Sequence, residues 1–209
     1  MDSTDAAELI AELHEDKVEH EAADKFRNRA ALLIAFLAAM LAIGGLGGGN
    51  ATDEMLISNI RASDAWAFYQ AKNIRQTLYE VALDETEPQL ASTPAADRPA
   101  LQKRLADYRA TIARYENEPD SEAPDDPMRG EGKKQLRARA QAFEQARDRA
   151  SEQDNNFDLA EVALQLALVL GSVAILAVNR WVLVASGTLG LIGALLTANG
   201  FFLLVPLPL

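Results

Sequence analysis

The chain contains three long apolar runs, one near its start and two at its end. They cover residues 30–51, 159–178 and 181–205, and Glu161 is the only charged side chain within them. A helix needs roughly 20 apolar residues to cross a hydrocarbon core of about 30 Å, and each run is long enough. The sequence therefore predicts an all-α membrane protein with three transmembrane helices.

A polar segment, residues 52–158, separates the first two runs and shows helical periodicity. Its second stretch has a heptad seam with the spacing 4-3-4-3, formed by Leu101, Leu105, Tyr108, Ile112 and Tyr115. A similar spacing in its first stretch joins Leu56, Ile60, Ser63, Ala67, Gln70, Ile74 and Val81, with Met55, Trp66 and Tyr69 on an adjoining stripe. The third stretch continues the seam with Leu136, Ala140, Phe143, Ala150 and Phe157. Heptads of this kind predict an antiparallel coiled-coil stalk inserted between the first and second transmembrane helices.

Prolines and glycines interrupt the polar segment at residues 85–98 and 119–132, where a helix interior cannot continue. The geometry of the stalk tip at these two places stays open. Residues 1–29 form an acidic polar tail or helix ahead of the first run.

The positive charges favour one orientation in the membrane. Four basic residues precede the first run, and Arg180 lies in the join between the second and third runs. Three basic residues lie near the membrane on the opposite side: Arg61, Arg147 and Arg149. Because cytoplasmic flanks carry the excess of Lys and Arg, the N-terminus is expected in the cytoplasm and the stalk outside it.

Composition excludes several kinds of chemistry. The formal net charge of -11 argues against a nucleic-acid partner, since phosphate neutralisation needs a basic face. There is no cysteine, and the two histidines, His14 and His20, are six residues apart and do not share a helix face. Nucleophilic sites that need histidine are therefore excluded from the polar segment and the apolar runs. We expect no catalytic residue, no cofactor and no metal site.

Two motifs in the second interruption have a simpler explanation than ligand binding. The sequence Gly-Glu-Gly-Lys-Lys at 130–134 lacks the spacing and the hydroxyl residue of a phosphate loop, so it indicates a turn before a helix. The neighbouring acids lack the ordered spacing of a calcium loop and indicate a solvated tip; they are Asp120, Glu122, Asp125 and Asp126.

Small residues mark candidate helix-packing positions in the apolar runs. The first run ends with two overlapping pairs four residues apart, Gly44 with Gly48 and Gly45 with Gly49, and the third run repeats the spacing at Ser186, Gly190 and Ala194. Such pairs let a second helix approach closely. The alternatives are packing within one subunit, contact between subunits, or a loosened helix end.

Glu161 and Gln165 are polar residues one helical turn apart in the second run. One interpretation is an interfacial carboxylate that reaches the headgroups. The other is a polar face turned toward the interior of an oligomeric bundle.

One cluster is the candidate partner surface of the polar segment: Trp66, Phe68, Tyr69, Lys72 and Arg75. Aromatic and arginine side chains concentrate at protein interfaces. The alternative is that the rings fill the seam against the returning helix. Both interpretations hold if the seam itself forms between subunits.

Several stretches of the polar segment resemble a known family. They include residues 59–63 (Asn-Ile-Arg-Ala-Ser), 66–72 (Trp-Ala-Phe-Tyr-Gln-Ala-Lys), 74–77 (Ile-Arg-Gln-Thr) and the glycine-lysine motif at 130–134. On these residues the chain resembles the bacterial membrane protein family known as domain of unknown function 4337, over nearly its whole length. The resemblance implies one span, a helical insert and a closing pair of spans, and it lends no activity or catalytic residue.

These observations together predict a non-enzymatic protein of the bacterial inner membrane. It would serve as a scaffold or accessory subunit that associates with itself or docks another membrane protein through its stalk. The alternative is a small oligomeric channel or transport accessory, with Glu161 and Gln165 facing the bundle interior. Its partners would be the lipid bilayer and protein, and not nucleic acid.

Overall fold

The computed structural model describes residues 3–206, with the side chains of residues 3–15 and 19 excepted. His14 therefore lies outside the described side chains. Five helices follow one another along the chain: α1 Ser3–Thr86, α2 Gln89–Ser92, α3 Arg98–Glu116, α4 Lys133–Ala177 and α5 Arg180–Phe202. Residues 3–206 contain no strand, and their one bridge pairs Pro119 with Gly130. The predicted all-α class is confirmed.

Three of these helices, α1, α4 and α5, are long and apolar enough to cross a membrane. Each contains one of the apolar runs, and α1 and α4 also contain the first and last stretches of the polar segment without a break. The chain divides into two compact units. We call residues up to Thr52 and from Ala150 onward the apolar unit, and Asp53–Arg149 the polar unit.

The apolar unit has a core built from large and small side chains of different helices. Leu37, Leu164 and Ala167 are buried together, and partly buried side chains of Leu33, Met40, Leu41, Leu168 and Leu189 pack against them. Gly193 makes room for this packing, because a Cβ there would lie 2.6 Å from the Cγ atom of Leu164. At the start of α5, the Asn179 side chain accepts hydrogen bonds from the Trp181 and Val182 amides and caps the helix.

The polar unit buries one face of α1 that consists mainly of small residues. Ser58, Ala62, Ala65 and Gln76 have little exposed surface, and Leu105 of α3 and the α4 residues Leu136 and Ala140 are also buried. Small side chains let helix backbones approach closely, so this face can pack against the other helices of the unit. The seam predicted for α3 has Leu105 at its buried centre, with its other members half-buried.

The seam predicted for α1 is wrong. Leu56 and Ile60 are 51% and 59% exposed, Ile74 is 62% exposed, and Val81 is 49% exposed. The remaining members of that stripe, Ser63, Ala67 and Gln70, are exposed too. The heptad spacing identified a real apolar stripe, but spacing does not specify which partner covers it. Within the unit, the close-packing side of α1 is instead the small-residue face, bordered by Trp66 and Tyr69.

The connection between α3 and α4 is an ordered loop. The Glu118 carbonyl accepts hydrogen bonds from the amides of Glu131 (2.9 Å) and Gly132 (3.4 Å), and Arg139 donates to the carbonyls of Met128 (2.8 Å) and Gly130 (2.9 Å). Gly130 has a φ of 117°, a conformation that side chains with a Cβ rarely adopt. A Cβ there would also collide with the Glu118 carbonyl. Glycine is therefore required at this corner of the loop.

Candidate functional site

Trp66 lies at the border of the packed face of α1. Its indole Nε1 donates a hydrogen bond to Glu144 Oε1 on α4, at 2.9 Å. Its ring meets that of Tyr69 edge to face, with 5.5 Å between centroids. Both side chains are half-buried, so they hold α1 against α4 within the polar unit.

Two cationic side chains of α4 contact Tyr69. Its hydroxyl accepts a hydrogen bond from Arg137 at 2.7 Å, and the same guanidinium lies 5.2 Å from the ring centroid. The ammonium of Lys133 lies 5.8 Å from that centroid. Distances within about 6 Å are those of cation–π contacts. The first turns of α4 are thereby tied to α1.

Lys72 and Lys133 are the two lysines of α1 and α4 that the unit encloses. The side chain of Lys72 is 16% exposed and its ammonium pairs with Glu118 (3.0 Å) and Glu131 (3.6 Å). The side chain of Lys133 is 12% exposed and its ammonium pairs with Glu116 at 3.1 Å. Lys72 thereby connects the α3–α4 loop to α1, and Lys133 connects the start of α4 to the end of α3, so both lysines have a structural role.

The carboxylate partner of Lys133 shows the effect of this pairing. The hydrogen bond from Lys133 lowers the pKa of Glu116, burial opposes the shift, and the charge of Lys133 adds to it. Because the charged form is favoured in the folded chain, the ion pair is intact at neutral pH.

Phe68 and Arg75, the other two members of the predicted cluster, are largely exposed at the edge of the packed face. Phe68 is 65% exposed, and Arg75 is exposed as well. The structure thus brings Trp66, Tyr69 and Lys72 together inside the polar unit and leaves Phe68 and Arg75 outside. Phe68 and Arg75 are about two helical turns apart, and exposed aromatic and arginine side chains are suited to contact with another protein.

The acidic cluster of the loop forms turns. The Asp120 carboxylate accepts a hydrogen bond from the Glu122 amide at 2.9 Å and pairs with Arg129 at 2.7 Å. The Glu122 amide lowers the pKa of Asp120, and the charge of Arg129 adds to this. Asp126 accepts from the Met128 amide at 2.9 Å. Among the residues whose side chains are described, no group of three or more His, Cys, Asp or Glu could hold a metal ion.

The cavities beside the cluster are small or shallow. One of about 170 Å³ lies between Phe68, Lys72 and Arg139, below the 300–1,000 Å³ that is usual for ligand pockets. A more open depression of about 400 Å³ is lined by Glu118, Asp120 and other residues of the loop. In the apolar unit, a depression of about 440 Å³ includes Asp16, His20 and Arg180. The candidate site of the polar unit is therefore a surface.

The glycines of α1 divide between two faces of the helix. A Cβ at Gly44 would lie 3.4 Å from the Thr197 hydroxyl of α5, and one at Gly48 would lie 3.2 Å from Phe157 of α4. At Gly45 and Gly49 no atom of the described part of the chain lies within 4 Å of the added atom. The helix is continuous through all four positions, so they do not loosen its end.

Ser186 and Gly190 of α5 both pack inside the apolar unit. The Ser186 hydroxyl donates to the Ala167 carbonyl at 2.6 Å, and a Cβ at Gly190 would collide with Leu37. These contacts are the close approach that small residues allow between helices.

Glu161 and Gln165 lie on an exposed face of α4. The Gln165 amide donates to Glu161 Oε1 at 2.8 Å, and both side chains are exposed. Ser172, seven residues beyond Gln165, is exposed on the same side of the helix. This polar stripe has no cover within the described part of the chain.

Sequence reasoning missed two packing features of the apolar unit. Gly47 is one, since a Cβ there would lie 2.6 Å from the ring of Phe157. The other is a buried amide pair, in which Asn199 donates to Asn156 at 2.6 Å and to the Val205 carbonyl at 2.8 Å. Asn199 inside the third apolar run could have indicated this pair, because a polar side chain in an apolar run needs a hydrogen-bond partner.

The fold and these surfaces define an all-helical protein with three helices of membrane-spanning length and a polar helical unit formed by the part of the chain between the first two apolar runs. The model of the family described as Domain of unknown function (DUF4337) matches residues 26–203. The chain belongs to this family, as the resemblance implied. Comparison with curated proteins found no match, and comparison with solved structures found none.

Proposed function

We propose that the protein is a non-enzymatic scaffold or accessory subunit of the bacterial inner membrane. The apolar unit anchors it through α1, α4 and α5, and the polar unit lies outside the cytoplasm as a stalk that contacts a partner. The observation that carries this proposal is the division of the chain into three helices long enough to cross a membrane and a polar unit held by ion pairs.

The mechanism is presentation of a surface at a fixed place on the membrane. The contacts of Trp66, Tyr69 and Lys72 make the polar unit rigid, and a rigid surface loses less entropy when it binds. Phe68 and Arg75 then remain available to the partner, which is a second copy or another membrane protein.

Membrane topology tests this proposal. The chain has no cysteine, so Ser121→Cys in the exposed α3–α4 loop is a clean reporter, and His20→Cys, which is exposed ahead of the first apolar run, is its matched control. Intact cells are treated with a membrane-impermeant maleimide. We expect labelling at residue 121 and labelling at residue 20 only after lysis.

The opposite pattern would place the polar unit in the cytoplasm and overturn the proposed orientation. Release of the chain from membranes by alkaline carbonate would overturn the anchoring itself.

A channel or transport accessory is the second candidate, favoured by the exposed Glu161–Gln165 pair. In an oligomer this stripe would face a shared interior, since charged groups in membranes face polar surroundings. The purified chain in liposomes would then conduct small ions, and Glu161→Gln would change the ion selectivity. Equal flux with empty liposomes would refute this candidate.

A further inference from the structure

One face of α1 in the polar unit carries an unbroken heptad pattern that is exposed along its whole length. We call it the outer stripe, and it consists of Ile57, Ile60, Asp64, Ala67, Ala71, Ile74, Leu78 and Val81. The spacing is 3-4-3-4-3-4-3, and all positions except Asp64 are apolar. This is the pattern with which one helix packs along another.

We infer that a second copy of this chain covers the outer stripe. The inference names the partner of the proposed scaffold and in that sense rests on the proposed function. It is carried by three properties of the stripe: its area, its shape and its charges.

The exposed area suits a dimer. Ile60, Ile74 and Leu78 are 59%, 62% and 65% exposed, and Ile57, Val81 and the neighbouring Leu56 are about half exposed. At about 100 Å² for each of these side chains, contact between two copies would bury on the order of 1,200 Å², the lower bound of specific interfaces. A patch of this size is larger than isolated surface apolar residues explain.

The shape suits a contact between identical surfaces. Ala67 and Ala71 are the middle pair of the eight positions, and large aliphatic side chains lie on both sides of them. Small residues at the centre let two helices cross closely there, while the larger ones pack on either side. In an isologous contact the same patch serves both subunits, so the alanine pair of one copy meets the alanine pair of the other.

The charges are compatible with self-contact. Asp64 is the one acid in the stripe, and Arg61 and Arg75 are exposed beside it. Arg61 lies three residues before Asp64 on the same helix, so each copy brings an opposite charge next to the acid of its own stripe.

Cross-linking near the centre of the stripe tests the contact. The full chain carrying Ala67→Cys, reconstituted alone in liposomes, is treated with a short bismaleimide, and the control is Lys103→Cys on an exposed face of α3. Residue 67 lies within a turn of the crossing point in either helix direction, so we expect a cross-linked dimer for this variant and none for the control. Equal yields from the two variants would overturn the inference.

A second measurement uses charge in place of a cross-link. The double variant Ala67→Glu/Ala71→Glu places four acids at the crossing, and because both alanines are exposed the fold of one copy is retained, as circular dichroism would verify. We expect its protein mass in detergent, from light scattering, to be half that of the unaltered chain and of Lys103→Glu. An unchanged mass would overturn the inference and assign the stripe to a different partner. Retention in membranes after carbonate treatment separates this result from failure of the proposed anchoring.

Discussion

The packing face of α1 can be tested by enlarging a residue that the structure buries. Ala65 is buried in the polar unit, while Ser63, two residues earlier, is exposed and belongs to the stripe that the sequence predicted to be the seam. The substitutions Ala65→Leu and Ser63→Leu introduce the same side chain on opposite sides of one helix. The structure and the sequence pattern make opposite predictions for this pair.

The expected magnitude follows from close packing. Extra methylene groups in a packed interior destabilise by about 1–3 kcal/mol, because neighbouring side chains must leave their preferred rotamers. Exposed substitutions stay within about 0.5 kcal/mol, and leucine is a slightly better helix former than serine. Since 1.36 kcal/mol is a factor of ten, Ala65→Leu should increase the opening equilibrium of the unit by roughly 5- to 150-fold.

Hydrogen exchange followed by mass spectrometry measures this opening in the full chain in detergent. Peptides from Asp53–Arg149 should exchange faster in Ala65→Leu, while those from α5 should be unaffected. Ser63→Leu should exchange like the unaltered chain. If Ser63→Leu accelerates exchange and Ala65→Leu does not, the seam predicted from the sequence is the packed one and the buried face assigned here is wrong.

Three further substitutions test single contacts. Gly130→Ala should destabilise the α3–α4 loop by about 1 kcal/mol or more, because φ is positive there, and faster exchange confined to that loop would show it. Lys133→Gln should raise the lowered pKa of Glu116, which NMR titration would measure. The ion pair contributes to stability above the ordinary glutamate pKa of about 4.3, and this contribution is lost as the pH falls through the lowered pKa. The variant lacks the ion pair, so it should lose less stability than the unaltered chain over that pH range. Gly193→Ala should lower the thermal stability of the apolar unit, whereas Gly45→Ala, with open space around it, should not, and equal melting temperatures would contradict the packing described.

The sequence was sufficient to predict the all-helical class and the three long apolar helices. Runs without charge leave few alternatives, since every backbone group must be paired within such a segment and a helix pairs them locally. The breaks near residues 88 and 119 also followed from proline chemistry. The ordered form of the α3–α4 loop did not, because it depends on contacts between residues far apart, such as Arg139 with Met128.

The structure places the members of the predicted partner cluster on different sides of α1. Trp66 and Phe68 are two residues apart, which on a helix turns their side chains by about 200°. A cluster in sequence is therefore on opposite sides in the fold, and Trp66 reaches Glu144 while Phe68 stays exposed. Helix phase would have separated the two, but the choice of the buried side needed the positions of α3 and α4.

The choice of the buried side of α1 has a physical cause that heptad counting overlooks. A seam of isoleucines keeps helix axes farther apart than one of alanine and serine, and the polar unit uses the close alternative, with Ser58, Ala62 and Ala65 buried. Aromatic and long polar side chains then complete the contact at its border, as Trp66 does with Glu144. The larger apolar residues of α1 are left on the other side, where their removal from water would still contribute about 25 cal/mol for each Å² covered. If a second copy covers the outer stripe, α1 has one face that packs within its own unit and a second that packs against another chain. Ala65→Leu should then affect folding, and Ala67→Glu should affect association.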